Sequence, residues 1–326
     1  MSNISSNVLV DVLHSNIKRK RKKYTLATDI SRNPVSYLLA LPALAYTFIF
    51  GYLTLPYIIV AFQQFGYNGG ILNNKFIWFK NFEFFFRSSN AINVTWNTIR
   101  LNFLFIVLGT ITAMFFSILM NEVKNKMFLK ISQSSFLFPH FLSWVVVSYI
   151  VYNIFSTNYG VLNQALKGIG LDPVNWYAKP EAWTEILAGM RLWKDTGMKT
   201  VIFLAAITGI DHQLYEAARI DGASRWQQTR SITIPLMMPT VMILVLLAIG
   251  KIFYGDFAML YSIIRDNGIL LPKTDVIDTF VFRALRMSGD PAQAMAVGLY
   301  QALMGFLLVY GSNKLIRRYY PDGALY

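Results

Sequence analysis

Residues 211–234 of this chain combine side chains that suit docking onto another protein. The carboxylate of Glu216 can pair with a basic partner, and the small alanines Ala217 and Ala218 let another surface come close. Gly222 follows and permits a sharp change of chain direction. A solvated hairpin that merely links two helices explains the same residues equally well. Residue types and spacing alone leave both interpretations open.

A second group of charges stands in a mostly apolar segment, residues 186–210. Its members are Arg191, Lys194, Asp195 and Lys199. A charge at the centre of a bilayer costs about 2.5–3.5 kcal/mol, so such charges usually face the interior of a helix bundle or water. Arg191 and Asp195 are spaced i, i+4 and can pair on one helix face. Mutual pairing and contact with a ligand are the two interpretations, and the surplus of positive charge would suit an anionic ligand.

Metal and catalytic chemistry have no support in the sequence. It contains no cysteine, and its histidines, His14, His140 and His212, lie far apart and in no zinc-type spacing. It has no glycine-rich phosphate loop of the GxxxxGK[ST] kind. We therefore expect no disulfide, no metal site, no catalytic residue and no cofactor held by this chain.

The composition indicates that lipid is the main solvent of the protein. Of 326 residues, 55% are hydrophobic and only 14% are charged, and the mean hydropathy is +0.41. The net charge of +13 and the basic run at residues 18–23 could suggest nucleic acid. A basic cluster just ahead of a long apolar segment is, however, a membrane-topology signal. We expect a lipid bilayer and no nucleic acid as partner.

Long apolar segments predict an all-α, polytopic membrane protein with six transmembrane helices, since about 20 helical residues cross the hydrocarbon core. The six candidates are residues 35–62, 99–120, 136–155, 186–210, 235–257 and 294–312. The first exceeds the ~7–15 residues of a signal-peptide core and is read as a retained span. The predicted division is 1–34 (basic segment), 35–62 (first span), 63–96 (loop), 97–313 (five-span core containing 211–234) and 314–326 (tail).

The distribution of lysine and arginine predicts the orientation of these spans. Both residues are denser in the N-terminal segment, in the second and fourth connections and in the tail than in the other loops. Both termini are therefore predicted to face the cytoplasm, and loop 63–96 the outside. Lys251, late in the fifth span, is expected near the outer surface, where its ammonium can reach water.

Local signals divide residues 211–234 into two short helices. Gly222 supplies the backbone freedom that ends the first helix. Ser224 followed by Gln227 is a capping-box pattern that begins the second. Pro235 is expected in the first turn of the fifth span, where a missing N–H costs little.

The ordered pattern YEAARIDGA at residues 215–223, followed by ITIP at 232–235, resembles the EAA loop of ABC importer permeases. In that family the loop forms a coupling helix that sits in a cleft of the cytoplasmic ATPase. The resemblance implies docking roles for the following residues: Tyr215, Glu216, Ala217, Ala218, Asp221 and Gly222.

Further segments are similar to the LplB type of sugar permease within that family. They are NEV at 121–123, PHFLSW at 139–144, YGVLN at 159–163, DVIDTFVF at 275–282 and GLYQ at 298–301. This implies the type I ABC importer permease fold and import of oligosaccharides from polysaccharide breakdown, including uronate-containing ones. Lys199 stands where related chains commonly carry an uncharged residue.

The resemblance also implies the surroundings of the chain. It would be a non-enzymatic subunit in a bacterial cytoplasmic membrane, beside a second, similar permease. Two ATPase subunits would hold ATP and Mg, and an extracellular or periplasmic sugar-binding protein would deliver the cargo. The alternative is a secondary transporter driven by an ion gradient. Such transporters usually have inverted repeats and more spans, which this sequence lacks.

Overall fold

The computed structural model describes residues 26–66 and 74–319, and these residues are helical apart from connecting loops and an isolated bridge between Gln63 and Phe76. The basic run 18–23 and the end of the tail, 320–326, lie outside the described residues. The chain divides into two compact units, Met1–Ile58 and Ile59–Tyr326.

The α-helices are numbered in chain order. They are α1 (Leu26–Arg32), α2 (Pro34–Thr47), α3 (Lys80–Phe86), α4 (Ala91–Asn121), α5 (Lys126–Leu137), α6 (Trp144–Phe155), α7 (Val161–Gly168), α8 (Trp183–Thr208), α9 (His212–Ile220), α10 (Arg225–Gln228), α11 (Ile234–Ile249), α12 (Phe257–Ile264), α13 (Leu271–Thr274), α14 (Ile277–Ser288) and α15 (Pro291–Tyr319). Tighter 3₁₀ turns occupy Leu55–Phe62, Phe138–Phe141, Trp176–Ala178 and Pro180–Ala182. Wider π turns occupy Phe48–Tyr52 and Thr229–Thr233.

Four helical stretches in the described residues are long and apolar enough to cross a membrane. They are Pro34–Phe62, Ala91–Asn121, Arg225–Ile249 and Pro291–Arg318. They coincide with the first, second, fifth and sixth predicted spans. The fifth ends at Ile249, earlier than predicted, because the chain leaves the helix at Gly250.

The third predicted span is not one straight helix. The stretch Lys126–Phe141 meets α6 at 97°, so this pair is either a broken span or a re-entrant segment. The break has a local cause, because Ser143 begins a new helix by accepting a hydrogen bond from Val146 N at 3.3 Å. Pro139 lies in the 3₁₀ turn just before it.

The fourth predicted span corresponds to α8, which has 26 residues and is long enough to cross a bilayer. It is less apolar than the four stretches above, because it carries five charged residues: Glu185, Arg191, Lys194, Asp195 and Lys199. It packs along α4, and its buried face joins α6 and α12 in one core. Trp183 anchors this core, fully buried, and its indole Nε1 donates to Trp176 O at 2.8 Å.

Gly197 permits the closest approach between α8 and the segment before the break. A Cβ at this position would overlap the main-chain carbonyl of Phe136. Backbone, unlike the end of a flexible side chain, cannot move aside cheaply. The contact therefore requires glycine.

We expect Gly197→Ala to destabilise the protein by about 1–3 kcal/mol, because the added methyl forces two helices apart. The melting temperature of the purified protein in detergent measures the effect. Gly189→Ala is the matched control, since it lies in the same helix with nothing within 4 Å of its added Cβ. The control should be neutral or slightly stabilising, because alanine favours helix. Equal melting temperatures for the two variants would contradict the close packing at Gly197.

Candidate functional site

The first half of the 211–234 loop is helix α9, held at both ends by local hydrogen bonds. The Asp211 carboxylate accepts from Gln213 N at 2.9 Å and begins the helix. At the other end Ala223 N donates to Ala218 O at 2.9 Å and Gly222 N to Arg219 O at 3.1 Å. This is a Schellman motif, and Gly222 has the positive φ of +79° that it needs. The prediction that Gly222 ends this helix is confirmed.

The second half contains the predicted capping box. Ser224 N donates to Gln227 Oε1 at 2.7 Å, and Gln227 N donates to Ser224 Oγ at 3.3 Å. Pro235 lies in the first turn of α11, as predicted, and the helical turns of Arg225–Thr233 extend the membrane-length stretch on its N-terminal side. A π turn at Thr229–Thr233 precedes the proline, and its wider winding lets the helix continue past that residue.

Helix α9 forms an exposed knob with no buried residue. Glu216, Ala217, Asp221 and Gly222 are exposed, while Tyr215 and Ala218 are half-buried. The six residues implied in docking are therefore together on one short helix and its end. Two apolar side chains of the same loop are also exposed, Ile220 at 86% and Trp226 at 70%. An exposed apolar patch next to a carboxylate is typical of a protein-binding surface.

Side-chain contacts fix the loop to the rest of its unit. The Tyr215 hydroxyl lies 2.9 Å from Thr233 Oγ1. Arg225 pairs with Glu122, which follows the end of α4. Arg219 Nε donates to Tyr215 O at 3.2 Å rather than pairing with Glu216, so the Glu216 carboxylate stays available. The sequence analysis missed Glu122 and Thr233, because neither contact follows from local spacing.

The second candidate site is a cavity of about 440 Å³, here called the charged cavity. Its charged lining residues are Arg191, Asp195, Lys199, Lys251 and Asp256. Asn102, Phe105, Gly109, Thr196, Tyr254 and Phe257 contribute to the remaining wall. Three of the four charges singled out in the α8 sequence therefore line one cavity, and Lys194 does not.

Arg191 is neutralised within this cavity by two carboxylates. Its Nε lies 2.6 Å from Asp195 Oδ2, as the i, i+4 spacing allowed, and its Nη1 pairs with Asp256. The guanidinium also lies 5.9 Å from the ring centroids of Phe105 and Trp144. Sequence reasoning missed Asp256. The available signal was a carboxylate at the end of a predicted span, which needs a cationic partner.

Two ammonium groups in the same cavity are not neutralised in this way. In the described part of the chain neither Lys199 nor Lys251 forms an ion pair. Lys199 is half-buried against α4, where a Cβ on Gly109 would lie 2.9 Å from its Nζ. Lys251, predicted to lie near the outer membrane surface, is exposed and lines the same cavity. The cavity therefore offers two unpaired positive charges to a ligand.

Lys194 has a different place. It is buried, and its Nζ donates to His140 O at 2.6 Å and approaches Pro139 O at 3.5 Å. The ammonium lies 5.3 Å from the Trp144 ring centroid. These contacts satisfy carbonyl groups at the break between α5 and α6, so the geometry gives Lys194 a structural role. Across the described residues no group of three or more His, Cys, Asp or Glu side chains could hold a metal ion.

Comparison with known proteins places these features in a family. Residues 21–319 match the family model described as binding-protein-dependent transport system inner membrane component. The chain belongs to this family. It has the type I ABC importer permease fold and is a multi-pass protein of the cytoplasmic membrane. It is the membrane component of the transporter, and the ATPase is a separate subunit.

Two curated relatives come from Bacillus subtilis (strain 168). Protein LplB is 28% identical over 294 residues, covering 90% of this chain and 92% of its own length. The polygalacturonan/rhamnogalacturonan transport system permease protein YteP is 29% identical over 307 residues, covering 94% and 95%. Among solved structures, a bacterial ABC transporter involved in the import of the acidic polysaccharide alginate matches with TM-score 0.81 and 31% identity, covering 90% of this chain and 98% of the other.

The structural role of Lys194 predicts a loss of stability in Lys194→Met. The variant keeps the volume but leaves His140 O without its donor, which should cost about 1–3 kcal/mol. Thermal unfolding in detergent measures this loss. Lys199→Met is the matched control, because Lys199 is unpaired and its replacement should leave the melting temperature unchanged or raise it. A lower melting temperature in the Lys199 variant than in the Lys194 variant would reverse the assigned roles.

Proposed function

We propose that this chain is one of two permease subunits in an ATP-driven importer of acidic oligosaccharides. The observation that carries the proposal is the pair of ammonium groups without an ion pair, Lys199 and Lys251, in a cavity whose two carboxylates, Asp195 and Asp256, are both paired with Arg191. A cation in a partly desolvated site is favoured by an anionic partner. Uronate carboxylates are the anions that an acidic sugar chain supplies.

The relatives support the acidic cargo. YteP is named for polygalacturonan and rhamnogalacturonan, and the matched structure serves alginate, which is an acidic polysaccharide. A further matched structure is a bacterial alginate ABC transporter in complex with an alginate pentasaccharide-bound periplasmic protein. A binding protein of the same kind would deliver oligosaccharide to this chain.

The 211–234 loop is the proposed contact with the motor. Two ATPase subunits, holding ATP and Mg, would each receive one coupling helix, one from this chain and one from a second, similar permease. Glu216 would supply the charge contact, Ala217 and Ala218 the close fit, and Gly222 the turn. The loop then faces the cytoplasm together with both chain termini, in agreement with the distribution of lysine and arginine.

In the transport cycle the charged cavity would open alternately to each side of the membrane. Closure of the ATPases around ATP would move the two coupling helices and turn the permease pair from inward-open to outward-open. Arg191, held by Asp195 and Asp256, keeps α8 in contact with the start of α12 during this movement. Lys199 and Lys251 are left free to exchange one carboxylate for the next as the oligosaccharide passes.

The docking role predicts that Glu216→Lys uncouples the importer. Reversing this charge places a cation against the basic partner surface and should lower uptake and ATPase assembly by about tenfold or more. Radiolabelled uptake in cells and co-purification of the ATPase measure the two effects. Glu181→Lys, the same change at an exposed residue of the 3₁₀ turn before α8, should retain both. Undiminished uptake by Glu216→Lys in membranes of normal permease content would refute the docking role.

The cargo proposal predicts slower uptake of acidic oligosaccharide when both unpaired charges are removed. In proteoliposomes supplied with the binding protein, Lys199→Gln/Lys251→Gln should lower trigalacturonate uptake about tenfold or more, because each charge-assisted contact contributes about 1.5–3 kcal/mol. ATPase stimulation by the loaded binding protein should persist, since the docking loop is intact.

Lys167→Gln is the matched control, because Lys167 is exposed on α7 and outside the cavity. This variant should transport at the normal rate. If the double variant transports trigalacturonate as fast as Lys167→Gln, the lysines of the charged cavity do not recognise the carboxylates of the cargo.

A further inference from the structure

A second concave site, here called the tyrosine pocket, has a volume of about 450 Å³ and shares no lining residue with the charged cavity. Six of its lining residues bear on ligand binding: Tyr149, Tyr152, Tyr177, Arg265, Asp266 and Asn267. They come from α6, from the loop before α8 and from the chain after α12. The pocket thus combines aromatic rings with one carboxylate and one guanidinium.

Arg265 occupies a conformation that disfavours every residue but glycine. Its φ is 54° and its ψ is −134°, at the point where α12 ends. Backbone strain of this kind is concentrated at ligand sites, where a particular side chain is worth its cost in stability. The side chain is exposed. A glycine would turn the chain here without this strain.

The guanidinium of Arg265 is available to a ligand. The adjacent carboxylate, Asp266, lies 3.4 Å from Arg286 and is neutralised there. No ion pair of Arg265 occurs within the described ranges 26–66 and 74–319. The pocket therefore presents an unpaired cation beside a carboxylate that already has its partner.

Three tyrosines line the same pocket as this cation. Tyr149 and Tyr152 lie one helical turn apart on α6, with 59% and 54% of their surfaces exposed. The rings of Tyr152 and Tyr177 have centroids 6.1 Å apart. Burial raises the pKa of Tyr177 to about 12, so its hydroxyl stays protonated and can donate. Asn267 Nδ2 donates a hydrogen bond to the Tyr177 carbonyl oxygen at 3.1 Å, and this contact fixes the loop before α8.

Tyrosines at the membrane–water interface would explain the exposed rings without a ligand. Interfacial rings face lipid headgroups, whereas these three line a concavity that also contains Ser148, Ser262 and the strained arginine. Flat amphipathic rings that contact a sugar face, with a cation for its carboxylate, are the recognition chemistry of a uronate.

We propose that the tyrosine pocket is a second binding site for a uronate unit of the cargo. Arg265 pairs with the carboxylate, and Tyr149 and Tyr152 pack on the sugar ring. The two sites are connected by α12, which begins at Phe257 in the wall of the charged cavity and ends beside Arg265, about 12 Å away. One acidic oligosaccharide can therefore pass between the tyrosine pocket and the charged cavity. This inference rests on the proposed function.

The test measures weak binding of trigalacturonate to the assembled importer in nanodiscs, without binding protein, by saturation-transfer NMR. The background is Lys199→Gln/Lys251→Gln, which removes from the charged cavity the two ammonium groups proposed to bind uronate. Binding should remain in this background, and adding Arg265→Gly should weaken it about tenfold. Arg265→Lys should retain part of the affinity. The carboxyl-reduced trisaccharide should bind equally weakly to all variants.

The glycine variant separates ligand binding from structure, because it removes the strain and should raise the melting temperature. Unchanged trigalacturonate binding in Arg265→Gly overturns the proposal. The proposal is also overturned if Arg265→Gly binds trigalacturonate normally but the loaded binding protein stimulates its ATPase less. That result would make the pocket a surface that docks the binding protein. If the unmodified importer binds the acidic and reduced sugars alike, the acidic cargo of the proposed function fails instead.

Discussion

The charged residues of α8 impose the constraint on which the rest of this permease depends. Ionised groups in a mostly apolar bundle must be paired or hydrogen-bonded, because their desolvation is otherwise too costly. Arg191 meets this requirement between Asp195 and Asp256, and Lys194 meets it at the carbonyls of the helix break. These contacts fix how α8 sits against α12 and against the turn before α6. The cavity is the space left between elements held in this way.

The same constraint separates structural charges from functional ones. Lys194 and Arg191 have their partners inside the protein. Removing a partner would leave the charge without a compensating group in a largely apolar environment. Lys199 and Lys251 lack carboxylate partners within the described chain and line an open space. An unpaired ammonium in such a place is stable only with water or an anion beside it. Charge in this bundle is thus divided between side chains that hold helices together and the lysines that we propose contact the cargo.

Much of this arrangement could be predicted from sequence, because its signals are local. The length of the apolar segments defines the spans, and Gly222 with Ser224 and Gln227 defines the turn and the two short helices. The missed features depend on contacts between distant residues. Asp256 pairs with Arg191 across 65 positions, and Arg225 with Glu122 across 103. The break near Ser143 has local signals in Pro139 and in the Ser143 cap, but the Lys194 contact that stabilises it comes from another helix and does not follow from residues 136–155.

In the proposed docking, the position of the 211–234 loop explains how a displacement of that loop can affect the charged cavity. The helical stretch from Arg225 to Ile249 consists of α10, a π turn and α11 and extends over about 37 Å at 1.5 Å per residue. Its first turn is tied to Glu122, and its π turn is tied to Tyr215 of the loop. At its other end Ala248, with Lys251 just beyond, lines the charged cavity. This helical stretch has one end beside the 211–234 loop and the other at the cavity wall, so it is the element through which the proposed docking would act on the cavity. Because Tyr215 of α9 is hydrogen-bonded to Thr233 of this stretch, a displacement of α9 by the proposed ATPase partner would be passed toward the wall that carries Lys251.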